Sequence, residues 1–147
     1  MSYTYDYPRP ALTVDGLIFR TSSEIEILLI QRKFEPFKNH WALPGGFVEM
    51  DEDLVDAAHR ELEEETGITG LELQQLQTFG KPGRDPRGRV VSVVFWGKCI
   101  DDSNLSAGDD AKEAQWFAVS KLPKLAFDHE EILKVGFEKI SDFKKAL

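Results

Sequence analysis

The chain has 147 residues, 41% of them hydrophobic, and carries 26 acidic against 18 basic side chains for a net charge of −8. That length and apolar content build one globular domain over residues 1–147 with a core of its own, while the acidic balance argues against sequence-independent binding to DNA or RNA. No stretch reads as a signal peptide or a transmembrane helix, so no membrane partner is expected, and the single Cys99 excludes an internal disulfide framework and fits a reducing, cytoplasmic setting.

In chain order, the first ten residues hold Tyr3, Tyr5, Tyr7, Pro8 and Pro10, an extended arm suited to packing on something. Leu12 to Arg20 and Ile25 to Gln31 are β-rich runs, and Thr21-Ser22-Ser23-Glu24 between them predicts a hairpin. Gln31-Arg32-Lys33-Phe34-Glu35-Pro36-Phe37 reads as a loop, with Trp41 beyond it. Its aromatics either offer a ring to a ligand or fill the core beneath the loop. Leu43 to Glu49 predicts a strand bent at Pro44-Gly45-Gly46, where glycine lets backbone amides and carbonyls approach an ion or a phosphate.

From Asp53 to Thr66 the chain lacks Gly and Pro and is rich in Leu, Ala and Glu, which predicts a helix. Asp51 or Asp53 caps its start, and Gly67 stands where a left-handed C-terminal cap is expected. At about 100° per residue, Val55, Ala58 and Leu62 form an apolar stripe. Glu61, Glu64 and Glu65 share the adjoining arc at spacings i, i+3 and i+4, so their carboxylates converge. Ala57, one turn earlier, leaves room above the helix. Arg60 flanks Glu64 and is placed either to reach back toward Glu52 or to hold a glutamate rotamer. Alone, such an acidic run reads first as a solvated helix face. Beside a packed stripe, two carboxylates ~5 Å apart repel by roughly 3 kcal/mol, a penalty that a hard divalent cation removes.

Leu71 to Phe79 and Val90 to Ile100 predict two further strands, and Cys99 in the second is expected to be inert packing. Between them lies Lys81-Pro82-Gly83-Arg84-Asp85-Pro86-Arg87-Gly88-Arg89. Its Asp85-Pro86-Arg87-Gly88 is a favourable type I turn, and Arg84 and Arg87 offer guanidinium forks. Asp109-Asp110-Ala111-Lys112-Glu113 reads as a solvated turn, with an acid that helps activate water as the alternative, and Gln115 to Val119 as a short strand. Asp128, with Glu131 as its capping-box partner, opens a last helix running to about Lys145. His129 belongs to that capping segment and is read as non-catalytic.

One constellation is far more specific than the rest. Gly46, Glu52, Arg60, Glu61, Leu62, Glu64, Glu65, Gly67 and Ile68 stand in the order G, five residues, E, seven residues, R-E-aliphatic-x-E-E-x-G-aliphatic. In this pattern the chain resembles the Nudix hydrolases. The resemblance implies an α/β fold, an α/β/α sandwich with a mixed β-sheet between helices. It also implies metal-dependent hydrolysis of a nucleoside diphosphate linked to another moiety. Glu61, Glu64, Glu65 and the Gly45 carbonyl would hold Mg²⁺, with Mn²⁺ as the alternative, and Arg60 and Glu52 would organise that cluster. Which glutamate activates water stays open. The segment Trp41 to Glu49, together with the arginine segment, is similar to small ADP-ribose pyrophosphatases and to the sugar-nucleotide-sensing half of Nudix-related regulators. The implied substrate is ADP-ribose, cleaved to AMP and ribose 5-phosphate, with Arg32, Trp41, Arg84 and Arg87 as substrate contacts. The alternatives are a nucleoside triphosphate or dinucleotide pyrophosphohydrolase, and a module that senses ADP-ribose without cleaving it. A homodimer is implied by the same likeness.

Overall fold

The computed structural model describes residues 2–100 and 111–146. Strands β1 (Ala11–Thr21) and β2 (Ile25–Arg32) are joined by the expected hairpin, whose turn is held by the Ser22 N–H on the Glu24 carbonyl at 3.0 Å. Their pairing is brief, from Phe19↔Ile27 to Thr21↔Ile25. Beyond it the sheet forks. The far edge of β1 is taken along its length by β6 (Val90–Lys98), parallel from Ala11↔Val90 to Phe19↔Lys98. On its near edge β1 pairs with β4 (Gly45–Phe47), through Thr13, Val14 and Asp15, and β2 pairs with β3 (Trp41–Ala42), through Ile30 and Gln31.

The predicted strand from Leu43 to Glu49 is thereby corrected. The segment is two short strands on different partners, and Leu43 and Pro44 cross the fork between them. Pro44 has no N–H to give a ladder, while its carbonyl accepts the Gly16 N–H at 2.7 Å. The remaining strands, β5 (Gln74–Phe79) against β6 and β7 (Ala111–Ala118) against β2, complete a seven-stranded mixed sheet. The start of β5 lies three residues later than the pattern predicts, and β7 begins before Gln115. The Asp109-Asp110 pair lies outside the described residues.

Side chains on β1 alternate between two cores, as strand geometry requires. Val14 and Ile18 pack toward Ala57, Ala58 and Leu62 of α1 (Leu54–Thr66). Leu17 and Phe19 pack toward Ile132 and Leu133 of α2 (His129–Lys139) and Phe143 of α3 (Ser141–Ala146). The sheet is therefore sandwiched between helices. Cys99 is buried in the α1-side core, beside Ile18 and Leu62.

Helix α1 begins where its sequence says it should. The Asp53 carboxylate accepts the Leu54 N–H at 2.6 Å, and Gly67, at φ 78°, returns its N–H to the Glu63 carbonyl. That left-handed geometry is the reason for glycine there. The last helix does not run unbroken to Lys145. Ile140 is extended (φ −85°, ψ 122°) and divides α2 from α3, and the bend seats Phe143 fully buried against Phe19 and Phe137, with ring centroids 4.8 and 5.0 Å away. Among the described residues no helix is long and apolar enough to cross a membrane.

Candidate active site

The fork in the sheet opens into a cavity of about 590 Å³, a size that suits a nucleotide-sized ligand. Its walls are one face of α1, strand β4, the loop after β2, the turn at Arg84 to Arg87, and the segment from Phe127 to His129. Glu61, Glu64, Glu65, Gly45, Arg60, Arg32, Arg84 and Arg87 all line it. Residues spread over more than fifty positions of sequence thus meet because β3 and β4 part to different strands.

Arg60 is the hub of the acidic wall. Its guanidinium donates to both oxygens of Glu52, at 2.6 and 3.0 Å, to Glu61 at 2.9 Å and to Glu64 at 3.3 Å. A fifth bond, of 3.1 Å, reaches the Phe47 carbonyl and ties the helix to β4. The Glu52 hydrogen bond pushes the Arg60 pKa above its ordinary value. In turn, the Arg60 bond and the Glu49 N–H lower Glu52 to about 2. Glu52 itself does not line the cavity, so its place is behind Arg60 rather than against a ligand.

Glu61 and Glu65 are buried, whereas the Glu64 side chain is 51% exposed. Glu65 accepts the Gly45 N–H at 2.7 Å. As the side chains stand, no group of three acidic, imidazole or thiol side chains among the described residues is gathered closely enough to hold a metal ion. The three carboxylates do face one cavity, and Glu61 and Glu64 converge on a single nitrogen, Arg60 Nη1. Like charges repel, and each of them has taken an N–H donor, from Arg60 or from Gly45. The donor set nevertheless suits a hard divalent cation, since it consists of carboxylate and carbonyl oxygens. Gly46 also leaves the space this needs, because a Cβ there would collide with the Glu61 carboxylate.

The cationic wall is built from three arginines held in three different ways. Arg32 is half-buried, donates to the Pro36 carbonyl at 2.7 Å, and lies 4.9 Å from the Phe127 ring. Burial, and then the nearby Arg87, lower its pKa. Arg87 forks onto buried Asp85 at 2.7 and 3.1 Å and sits between the Phe47 and Phe127 rings, at 4.9 and 5.3 Å. Burial raises the Asp85 pKa, but the Arg87 hydrogen bonds outweigh it and the net shift is downward. The Asp85 carbonyl also accepts the Gly88 N–H at 3.4 Å, closing the predicted turn.

Two expectations change here. Arg84 lines the cavity, yet its guanidinium is committed to both oxygens of Asp128 at 2.7 and 2.9 Å. That ion pair is why Asp128 makes no side-chain cap on α2. Trp41 is not part of the cavity lining. Its ring packs edge-on against Phe117 with centroids 4.7 Å apart and joins the core, so it is placed for packing rather than for ligand contact. Phe34, in contrast, lines the cavity and is 59% exposed.

Two residues, Phe127 and Asp15, escape the sequence reading, which gives His129 only a place in a capping segment. Phe127, at φ 52°, sets its ring between Arg32 and Arg87. Asp15 and His129 are buried in the cavity wall. His129 Nδ1 accepts the Leu43 N–H at 3.0 Å, and burial holds the imidazole pKa below its ordinary value, so the ring is neutral. Asp15 did leave a signal, as a lone acid on the same strand face as Leu17 and Phe19. His129 left none beyond its place at a helix start.

With this geometry in hand, similarity to known proteins becomes informative. The NUDIX domain family model matches residues 9–135. The chain belongs to the Nudix family of hydrolases. It is 51% identical over 128 residues to an ADP-ribose pyrophosphatase from Methanocaldococcus jannaschii, covering 87% of this chain and 73% of that protein. It is 38% identical to the ADPR responsive transcriptional repressor NtrR of Acinetobacter baylyi, covering 93% of this chain and 57% of the repressor. Among solved structures, the NUDIX domain of Shewanella oneidensis NrtR complexed with ADP ribose aligns with a TM-score of 0.86 at 30% identity, covering 92% of this chain and 94% of that one.

Proposed function

We propose that this protein is an ADP-ribose pyrophosphatase, adding water across the phosphoric anhydride to give AMP and ribose 5-phosphate. The observation that carries the reading is the meeting of the Glu61, Glu64 and Glu65 arc with Arg32 and Arg87 in one cavity. Similarity to a pyrophosphatase and to an ADP-ribose-binding domain supports it. Glu61, Glu64, Glu65 and the Gly45 carbonyl would hold Mg²⁺ or Mn²⁺, which when bound offsets charge on the phosphate oxygens and lowers the pKa of water. Arg60, steadied by Glu52, orients the glutamates. Arg32 and Arg87, held in place by the Pro36 carbonyl and by Asp85, pair with non-bridging phosphate oxygens through their remaining guanidinium N–H groups. One carboxylate of the trio accepts the proton of the attacking water. The P–O bond to the bridging oxygen then breaks, and that oxygen leaves on the second product.

Turnover with product identification tests this directly. Mg²⁺ or Mn²⁺ should support release of AMP and ribose 5-phosphate, EDTA should stop it, and E64Q or E65Q should lower kcat by about 100-fold or more. Release of inorganic pyrophosphate from triphosphates in preference would favour the alternative substrate class. Tight binding of ADP-ribose without cleavage would favour a sensor. The proposal includes a cytoplasmic homodimer, with the exposed Tyr3, Tyr5 and Tyr7 arm as a contact surface. Light scattering at micromolar concentration reads the oligomeric state.

A further inference from the structure

A line of buried polar groups beside β4 has no part in the phosphate chemistry. Asp15 Oδ2 accepts the Ser92 hydroxyl at 2.5 Å, and Asp15 Oδ1 lies 3.7 Å from His129 Nε2. Because the Leu43 N–H donates to Nδ1, the ring proton stands on Nε2 and is directed toward Asp15. At 3.7 Å the two atoms are too far apart to hydrogen-bond to each other. Among the described residues neither has another hydrogen-bond partner. Asp15 is 8% and His129 4% exposed, and both line the cavity. Among the described residues Trp116 Nε1 is the buried side-chain atom without a partner, so the facing atoms of Asp15 and His129 are open to the cavity and reachable by a ligand.

We propose that Asp15 and His129 form a hydroxyl-binding subsite in the active-site cavity, which takes a sugar hydroxyl of the substrate. The hydroxyl donates to Asp15 Oδ1 and accepts from His129 Nε2. A single oxygen that both gives and receives a proton, about 2.8 Å from each atom, bridges this gap, and a hydroxyl is the group with that character. A phosphate oxygen does not fit, because it would meet the Asp15 carboxylate as a second negative charge. The inference rests on the substrate reading above and sharpens it. Ser92 sets the carboxylate from behind, and Gly45 gives it room, since a Cβ at Gly45 would collide with Asp15.

The test is a coupling measurement between protein and ligand. Dissociation constants are taken by calorimetry in EDTA, where turnover does not intervene, for ADP-ribose and for analogues that each lack one ribose hydroxyl. Wild type, D15N and H129N are compared. D15N keeps a partner for Ser92, and H129N keeps an acceptor for the Leu43 N–H, so either variant alone suffices. One analogue should bind wild type about 10–100-fold more weakly than ADP-ribose, yet bind each variant within about threefold of it. If every analogue loses the same factor in the variants as in wild type, the two side chains hold only each other or a water, and the subsite is overturned. Failure of wild type to bind ADP-ribose overturns it too. Binding that shows the coupling without turnover in Mg²⁺ upholds the subsite and sinks only the proposed activity.

Discussion

Glu52 and Arg60 show how much a side chain contributes without touching a ligand. Glu52 is outside the cavity lining but gives Arg60 both of its oxygens, and Arg60 then reaches Glu61 and Glu64. E52Q keeps the size of the side chain and removes its charge. It should raise the Mg²⁺ concentration needed for half-maximal turnover by about 10–100-fold, the usual cost of losing a group that orients ligands, with a smaller effect on kcat at saturating metal. An unchanged metal requirement would mean that Arg60 holds its place without Glu52. R60K should be worse than its charge suggests, since an ammonium cannot fork onto Glu52 and still reach two other carboxylates and a carbonyl. A metal-activation curve for each variant separates the two effects.

Strand β4 argues at the next scale, because its two glycines face different neighbours. A Cβ at Gly45 would run into the Val14 carbonyl and the Asp15 backbone of β1, which cannot move without shifting the strand. A Cβ at Gly46 would meet only the Glu61 carboxylate, the far end of a flexible side chain. G45A should therefore destabilise by about 1–3 kcal/mol, a fall in Tm of roughly 3–10 °C. G46A should melt close to wild type but lose metal-dependent activity, as Glu61 is displaced. Thermal denaturation beside turnover checks both, and equal melting losses for the two variants would contradict the distinction.

Over the whole molecule, α2 is tied to the sheet through His129, which is buried, neutral and bonded to Leu43. Burial lowers its pKa in the folded state below the ordinary 6.5. The unfolded chain therefore takes up the proton first. This contribution to stability is fully present above that value and is lost as pH falls toward the folded pKa, at up to about 1.4 kcal/mol per pH unit. Urea titrations at about pH 7.5 and about pH 5.5 should show wild type losing more stability than H129N. Equal losses would mean that the imidazole is protonated in the fold.

How much of this was legible in sequence follows from how local each feature is. Helix α1, its Asp53 start, its Gly67 stop and the arc of Glu61, Glu64 and Glu65 are set by neighbours within a few turns, so periodicity and spacing reveal them. The β1–β2 hairpin and the turn at Asp85 are local for the same reason. The split of β3 from β4, the break at Ile140 and the loss of the Asp128 cap to Arg84 each depend on a partner far along the chain. So does the core position of Trp41 against Phe117. Sequence by itself determined the family pattern, the helix that carries the acids and the class of chemistry they suit. Only tertiary structure decided which arginines face the cavity, that Glu52 stands behind Arg60, and that Asp15 meets His129. A charge's partner is chosen by distance in the fold, and that distance is not written in the spacing of residues along the chain.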